Sequence, residues 1–493
     1  MNGTPSHPAS AFFERRYPWC IAFLFALAAF LFFFRLGVLP VQDWDEARNG
    51  INASEMAQSG NWTVTTWLKE PDYWNSKPPL AIQAQALSIL AFGDTPFAMR
   101  FPSALAGFLT LLLTVRIARE RYGRAASLFA GLFLCTAYGF MNLHAARSGN
   151  FDGFLTLFFT LGVFALERAG RNAWALPLFG ISAALAFLSK SFAVLPLFSI
   201  ALLYLPFSPE RKNTRIWQYL AAALLFLLPV AVWAFFRFRA DGTAFFRAML
   251  DNDLLHRTTV SVDGLPTFSL WYVFVILGDF FPWSPLVVLL IFFRNRLSVT
   301  AKGGKPALSL ELSEFFHNPL VFLWAALPFA LYSLVTTKVD WYMIPVYPAL
   351  AASAGWLCAE LLGEKRAFRI VTPVRLLVYC GFFALLYAVA LPAVVIGQDR
   401  DTYQRAMLSL PHAKGATMWF ADRSRNQGEV YVAEAMMGYR PAWISNSFAP
   451  FLASTNRADV LFGTERALKN PGGGTNGLRI LFRVDGFFAA AKR

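Results

Sequence analysis

A chain of 493 residues that is 56% hydrophobic and 15% charged departs from the composition of soluble domains, in which about a quarter of residues carry charge. A net charge of +14 would suit nucleic acid, but the Lys and Arg residues gather in short clusters between apolar stretches, at 116–124, 211–215, 294–305 and 364–369. That is the placement of cytoplasmic loops in a membrane protein, and it argues against a nucleic-acid partner. Apolar stretches of about 20 residues, the length of a helical crossing, recur without the alternation of a transmembrane barrel.

In chain order, the first crossing is expected near 19–39, entered from a cytoplasmic N-terminus and kept as an uncleaved helix, since no small-residue cleavage site follows it. Residues 40–96 then form an outer loop. Within it, 46–60 has helical spacing and 80–92 is too short to span, so both read as helices at the membrane surface. Crossings follow near 97–115, 125–143, 151–167, 173–188, 192–206, 217–236, 268–293 and 319–335. A further crossing runs from about 342 to the basic run at 364–369, and the last lies near 375–396. About eleven crossings place every basic loop on the cytoplasmic side. The four cysteines (Cys20, Cys135, Cys358, Cys380) fall in or beside apolar spans, with no disulfide or metal spacing.

Composition changes near 397. Residues 397–493 carry charge, Gly and Asn, a helical stretch at 401–410, and β-type runs at 430–433, 460–463 and 478–484. The expectation is a multi-spanning α-helical membrane domain over 1–396 and a small extracytoplasmic α/β domain over 397–493. The triple glycine at 472–474 lacks the strand–helix context of a phosphate-binding loop and reads as a plain loop.

With this topology the unusual polar residues share one side. Asp43, Asp45, Glu46, Arg48 and Lys77 lie in the first outer loop. Arg147, Asp152, Lys190, His256, Arg257, Lys338 and Tyr342 lie at outer ends of spans or in later outer loops. Ionisable groups near hydrocarbon are paired or functional, and cations beside carboxylates suit an anionic head group and a reacting sugar or acyl centre. Individually each has a plainer reading. Asp43 and Asp45 can cap a helix, Lys77 can snorkel to head groups, Asp152 can pair with Arg147, Lys338 and Tyr342 can anchor at the interface, and His256 can be a solvated loop residue.

The run Asp45-Glu46-Ala47-Arg48, then Ser59-Gly60-Asn61-Trp62, then Lys77-Pro78-Pro79 resembles the first outer loop of the GT-C superfamily. These membrane glycosyltransferases use polyprenyl-phosphate sugars and include protein O-mannosyltransferases and the aminoarabinose transferases of lipid A. Ala146-Arg147 with Asp152, Phe187-Leu188-Ser189-Lys190, Trp271-Tyr272 with Phe281-Pro282-Trp283, and Lys338 with Tyr342, Pro345, Tyr347 and Pro348 extend the resemblance over about residues 20–360. It implies that Asp45 is the catalytic carboxylate and that Lys77, Arg257 and Tyr342 hold the donor phosphate. It also implies that Asp152, Lys190 and Lys338 line the same cavity, with Asp43, Glu46, Arg48, Trp74, Arg147 and His256 in support. The chain departs from the aminoarabinose transferases where Ser76 replaces the Glu before Lys-Pro, and where their outer-loop histidine falls on Leu254, with His256 shifted. Spacing therefore predicts no metal site, and any divalent-cation requirement is left open.

The function expected is an inverting glycosyltransferase of a bacterial inner membrane, with site and C-terminal domain on the periplasmic side. It would move a monosaccharide from a polyprenyl-phosphate carrier to a lipid, glycan or protein acceptor. The alternative is a transporter or flippase for a lipid-linked or anionic solute. Transporters often carry internal repeats with broken helices, and no two-fold repeat is evident here.

Overall fold

The computed structural model describes residues 8–141, 144–208, 210–261, 264, 270–298, 319–363, 373–398, 402–421, 427–444, 447–469 and 476–493. The basic runs at 299–305 and 364–369, residue 401 and the triple glycine lie outside the described residues. The chain divides into two compact units: Met1–Phe34, Ser76–Ala81 and Ser103–Ala390 in one, and Arg35–Asn75, Ile82–Pro102 and Leu391–Arg493 in the other. Most of the first outer loop thus groups with the C-terminal residues.

Six helices among the described residues are long and apolar enough to cross a membrane. They are Phe13–Phe33, Pro96–Thr136, Ala175–Phe207, Ile216–Asp241, Asp340–Leu362 and Val374–Val395. There are seven if Trp271–Asp279 and Trp283–Ile291, bent by 109°, make one crossing. Leu220, Leu224, Leu227, Phe235 and Phe236 on Ile216–Asp241 are each more than half exposed. Such a surface is at home against lipid, where the helix satisfies its own backbone.

The first unit is a helical bundle. Asp152–Glu167 packs along Ala175–Lys190, which packs in turn against Ile216–Asp241. Phe159, Val163, Leu197, Ile200 and Trp324 make one of its cores, and the Trp324 indole donates to the Pro345 carbonyl at 3.0 Å. Two long helical runs are interrupted. Pro96–Thr136 breaks at Gly123, whose φ of 89° suits only a residue without a Cβ. Ala175–Phe207 breaks at Ser191, with φ 42°.

Ion pairs tie several basic segments together. Arg124 meets Glu14 at 2.9 Å, Arg121 meets Glu167 at 2.6 Å, Arg168 meets Glu120, and Arg171 meets Glu210 at 3.1 Å. The last pair bears on the run Ala175–Phe207. A straight helix of that length would hold its ends roughly 50 Å apart at 1.5 Å per residue, yet the residues flanking those ends touch. The run goes out and returns, turning at Ser191.

The second unit holds helix Asp45–Ser59, the hairpin of β1 (Thr66–Trp67) and β2 (Glu70–Pro71), and a five-stranded sheet. The sheet comprises β3 (Thr417–Phe420), β4 (Arg440–Trp443), β5 (Val460–Thr464), β6 (Leu478–Val484) and β7 (Phe487–Lys492), in the order β4-β3-β5-β7-β6. β3 runs parallel to β4 and β5, and β7 runs antiparallel to β5 and β6. Side chains alternate between two faces. Val460 and Phe462 join a core with Ala47, Ile51, Met99 and Tyr431, while Leu461 joins Phe451 and Phe488 on the other face.

The runs 460–463 and 478–484 are strands as expected. The run 430–433 is instead helical, within Gln427–Tyr431 and Val432–Met436. All four of its residues are buried in the core that holds Ala47 and Ile51, a case of burial overriding strand propensity.

Candidate active site

In the first unit, residues distant in sequence meet around a cavity of about 230 Å³ lined by Lys77, Lys190, Asp253, Arg257, Tyr332 and Tyr342 among others. Lys77 arrives on a short segment before Pro78 and Pro79, which lack N–H donors and hold the backbone extended until helix Leu80–Phe92 begins. Lys190 is the last residue of Ala175–Lys190, and the left-handed backbone at Ser191 ends that helix beneath it. Arg257 follows the π-helical turn Leu250–His256, a wide turn often found at functional sites. Tyr342 lies on the 3₁₀ segment Asp340–Val346.

These side chains form a connected set. Arg257 donates from Nη1 to the Tyr342 hydroxyl at 2.7 Å. Lys77 Nζ and Arg257 Nε both face Asp253 Oδ1, at 3.5 and 3.8 Å, and the Ser191 hydroxyl donates to Asp253 Oδ2 at 2.9 Å. Lys190 Nζ donates to Asp152 Oδ1 at 2.5 Å, with Asp152 only 1% exposed. Behind that pair, His144 Nδ1 stands 3.8 Å from Asp152 Oδ2 and its ring stacks on Trp341. The Tyr332 hydroxyl donates to the Ala193 carbonyl at 3.0 Å, and its ring lies 5.0 Å from that of Tyr342.

The three residues expected to hold a phosphate thus line one cavity with Lys190, and Asp152 reaches it through its bond to Lys190. Lys338 and Arg147 do otherwise. Lys338 is buried and donates to the Ser333 carbonyl at 3.0 Å and to the Val335 carbonyl, capping the end of helix Leu320–Leu334 instead of lining the cavity. Arg147 donates to the carbonyls of Leu31, Phe32 and Phe34. Orphan carbonyls at a helix end need such donors, so its guanidinium is absorbed there. His256 is exposed and outside the lining, whereas Leu254 is part of it.

Asp253, Ser191, Tyr332 and His144 were not among the residues expected from the sequence. Asp253 lies four residues before Arg257, a spacing that pairs opposite charges on one helix face. That signal was legible. Nothing in the sequence marked Ser191.

Asp45, Asp43, Glu46, Arg48 and Trp74 belong to the second unit. Asp45 opens helix Asp45–Ser59, after Trp44 in a left-handed conformation with φ 68°. Glu46 is 1% exposed and paired with Arg100. Arg48 donates to both oxygens of Asp72 at 2.7 Å, with its guanidinium between the rings of Trp67 and Trp74, 4.5 and 4.7 Å from their centres. Burial alone would raise the Asp72 carboxyl, but its hydrogen bonds and the charge of Arg48 hold it below its ordinary range. Asp43 Oδ1 accepts from the Gly428 N–H at 2.8 Å, so it ties the loop to the C-terminal residues instead of capping the helix. Of the loop carboxylates, Glu46 and Asp43 are thus structural ties.

At the position before Lys77, Ser76 is fully buried. Among the described residues no group of three His, Cys, Asp or Glu side chains is placed to hold a metal ion.

A family model described as dolichyl-phosphate-mannose-protein mannosyltransferase matches residues 76–235, a segment that includes Lys77, Asp152 and Lys190. The undecaprenyl phosphate-alpha-4-amino-4-deoxy-L-arabinose arabinosyl transferase of Pseudomonas savastanoi pv. phaseolicola is 26% identical over 375 residues, 73% of this chain and 66% of that protein. A protein of the same description from Shewanella sediminis is 27% identical over 391 residues, 75% of this chain and 65% of that protein. The match thus spans just under two thirds of the length of these curated relatives. Among solved structures, ArnT from Cupriavidus metallidurans bound to undecaprenyl phosphate aligns with a TM-score of 0.69 at 15% identity, over 96% of this chain and 98% of that one. The archaeal oligosaccharyltransferase AglB from Archaeoglobus fulgidus, in complex with an inhibitory peptide and a dolichol-phosphate, aligns at 0.52 and 10% identity, over 98% and 75%. At these identities the likeness is one of fold.

Proposed function

We infer that this chain, a membrane glycosyltransferase of the GT-C superfamily, moves a monosaccharide from a polyprenyl-phosphate carrier to an acceptor by a single inverting displacement. The observation that carries the reading is the convergence of Lys77, Arg257 and Tyr342, from three separate segments, on one cavity beside Lys190. Two cations and a phenol on one concave surface suit a phosphate oxygen. They would stabilise the charge that grows there as the anomeric C–O bond breaks. Asp45 is assigned the proton of an acceptor hydroxyl; an acceptor that is itself a phosphate needs no base, and Asp45 then orients it. The acceptor is a lipid, glycan or protein.

The chain is read as crossing a bacterial inner membrane about eleven times, with the cavity and the sheet domain periplasmic. The break at Gly123 and the turn at Ser191 support that count, as do the short helices Asp152–Glu167 and Leu320–Leu334.

The test is transfer from a radiolabelled undecaprenyl-phosphate sugar by purified protein in detergent or nanodiscs, with an envelope extract as acceptor. Lys77→Ala and Arg257→Ala should each lose more than about tenfold in kcat/KM, the scale of one lost charge-assisted contact in the transition state. Asp45→Asn should abolish transfer to hydroxyl acceptors. Full turnover by these variants would sink the assignment, and solute uptake into proteoliposomes without covalent change would favour transport.

A further inference from the structure

The cavity contains a carboxylate that a phosphate site would not be expected to keep. Asp253 Oδ1 lies between Lys77 and Arg257, at 3.5 and 3.8 Å, and Ser191 fixes its other oxygen at 2.9 Å. The aspartate is nearly buried, with its side chain 7% exposed. It therefore faces the two cations assigned to the donor, in the place where an anionic ligand would meet them.

The formal charges are informative. Lys190 is balanced by Asp152 at 2.5 Å. Lys77 and Arg257 share the one carboxylate of Asp253. A lipid-phosphate sugar is a phosphodiester with one negative charge. In the transfer, the acceptor oxygen forms its bond to the anomeric carbon and gives up its proton to a base. The anomeric C–O bond breaks and its electron pair stays on the phosphate oxygen. The released lipid phosphate is a phosphomonoester of nearly two negative charges. The carboxylate of Asp253, set between Lys77 and Arg257, opposes the dianionic product more strongly than the monoanionic donor.

On the reading of Lys77 and Arg257 as the donor-phosphate residues, we propose that Asp253 offsets the charge of these two cations, so that the cavity retains the phosphodiester donor and releases the phosphomonoester product. Substituting Asp253 by a neutral isostere leaves the cations in place but uncompensated. It should therefore tighten the product and slow its departure, whereas loss of a purely structural residue would weaken every ligand.

The experiment measures binding of undecaprenyl phosphate and of its methyl ester, a phosphodiester, to the full chain in nanodiscs. The wild type should bind the methyl ester at least as tightly as undecaprenyl phosphate. Asp253→Asn should bind undecaprenyl phosphate about tenfold more tightly than wild type, within what one partly buried charge supplies. Its product-inhibition constant should fall in step and its kcat should drop, with donor KM not raised. Asp253→Glu, which keeps the charge, should behave as wild type, and Lys77→Met combined with Asp253→Asn should bring product affinity back toward wild type. Undecaprenyl phosphate binding equally or more weakly to Asp253→Asn would overturn the proposal. So would a wild type that prefers undecaprenyl phosphate to its methyl ester by tenfold, a result that needs no variant to fold. If Lys77→Ala and Arg257→Ala leave both affinities unchanged, the phosphate-site reading itself has failed.

Discussion

Arg100 grips Glu46 with both arms of its guanidinium, Nε to Oε1 at 2.7 Å and Nη2 to Oε2 at 2.8 Å. Both side chains are buried. The same guanidinium donates to the carbonyls of Leu36, Leu39 and Pro40, so one side chain fixes the chain that leads into the helix opened by Asp45. Removing one member of a buried pair leaves an uncompensated charge, at a cost of about 3–5 kcal/mol. Arg100→Met should therefore destabilise the protein by that order, and Arg100→Met with Glu46→Gln by clearly less. Thermal unfolding of the purified single and double variants decides it; equal losses would mean that the carbonyl contacts, and not the ion pair, hold this segment.

Gly50 marks where helix Asp45–Ser59 meets the C-terminal residues. A Cβ there would stand 2.8 Å from Tyr431 Cε2 and 2.6 Å from Met99 Sδ, and Tyr431 is fully buried in the shared core. Overpacking such a contact costs about 1–3 kcal/mol. Gly50→Val should lower the melting temperature and make the 402–493 region more sensitive to limited proteolysis. Gly50→Ala should do the same more mildly. Unchanged protease resistance in Gly50→Val would show that the contact gives way without cost.

The bundle and its polar face were legible because membrane physics leaves coarse marks: apolar length for crossings, basic clusters for one side, and ionisable groups where hydrocarbon would exclude them. Lys77, Arg257 and Tyr342 share a cavity for that reason. Arg147 and Lys338 carried the same mark but serve carbonyls at helix ends, a need that depends on where helices stop and hence on tertiary structure. The union of the first outer loop with the sheet domain was invisible for a similar reason. Its core joins Val41, Ala47 and Ile51 to Met407, Tyr431 and Phe462, contacts far apart in sequence. The run 430–433 misled because Val and Tyr favour strands in isolation, yet here they sit in helical turns buried on every side.

Lys190 and Asp152 separate stability from donor recognition. Lys190→Met strands a carboxylate that is 1% exposed, so it should cost about 3–5 kcal/mol. Lys190→Met with Asp152→Asn removes both charges and should regain most of that stability. It should not regain donor affinity if the Lys190 ammonium helps to hold the donor at the cavity wall. Melting temperature and donor KM, measured on the same preparations, read the two effects independently. A double variant that recovers both would reduce the pair to a structural bridge.

Alkaline pH should loosen the second unit, and Glu429 is the group to watch. It is fully buried, and burial together with the nearby charge of Asp43 pushes its carboxyl up to about 8 from an ordinary 4.5. Glu434 is likewise pushed up by burial and by the carboxylate of Glu55. The folded state therefore binds protons that the unfolded chain has released, so stability falls as pH rises between the two values. The contribution of Glu429 is fully present below about 4.5 and is lost as pH passes through about 8. Asp94, raised by burial to about 6, completes its titration earlier, which leaves the decline between about pH 7 and 9 to Glu429 and Glu434. Melting temperature across that interval should fall in the wild type and fall less in Glu429→Gln, which carries no proton to lose and stays neutral in the same buried place. The Glu434–Glu55 pair would account for whatever slope survives, and Glu429→Gln with Glu434→Gln should flatten it. A wild type and a double variant with the same alkaline slope would show that these carboxyls stay ionised in the folded protein.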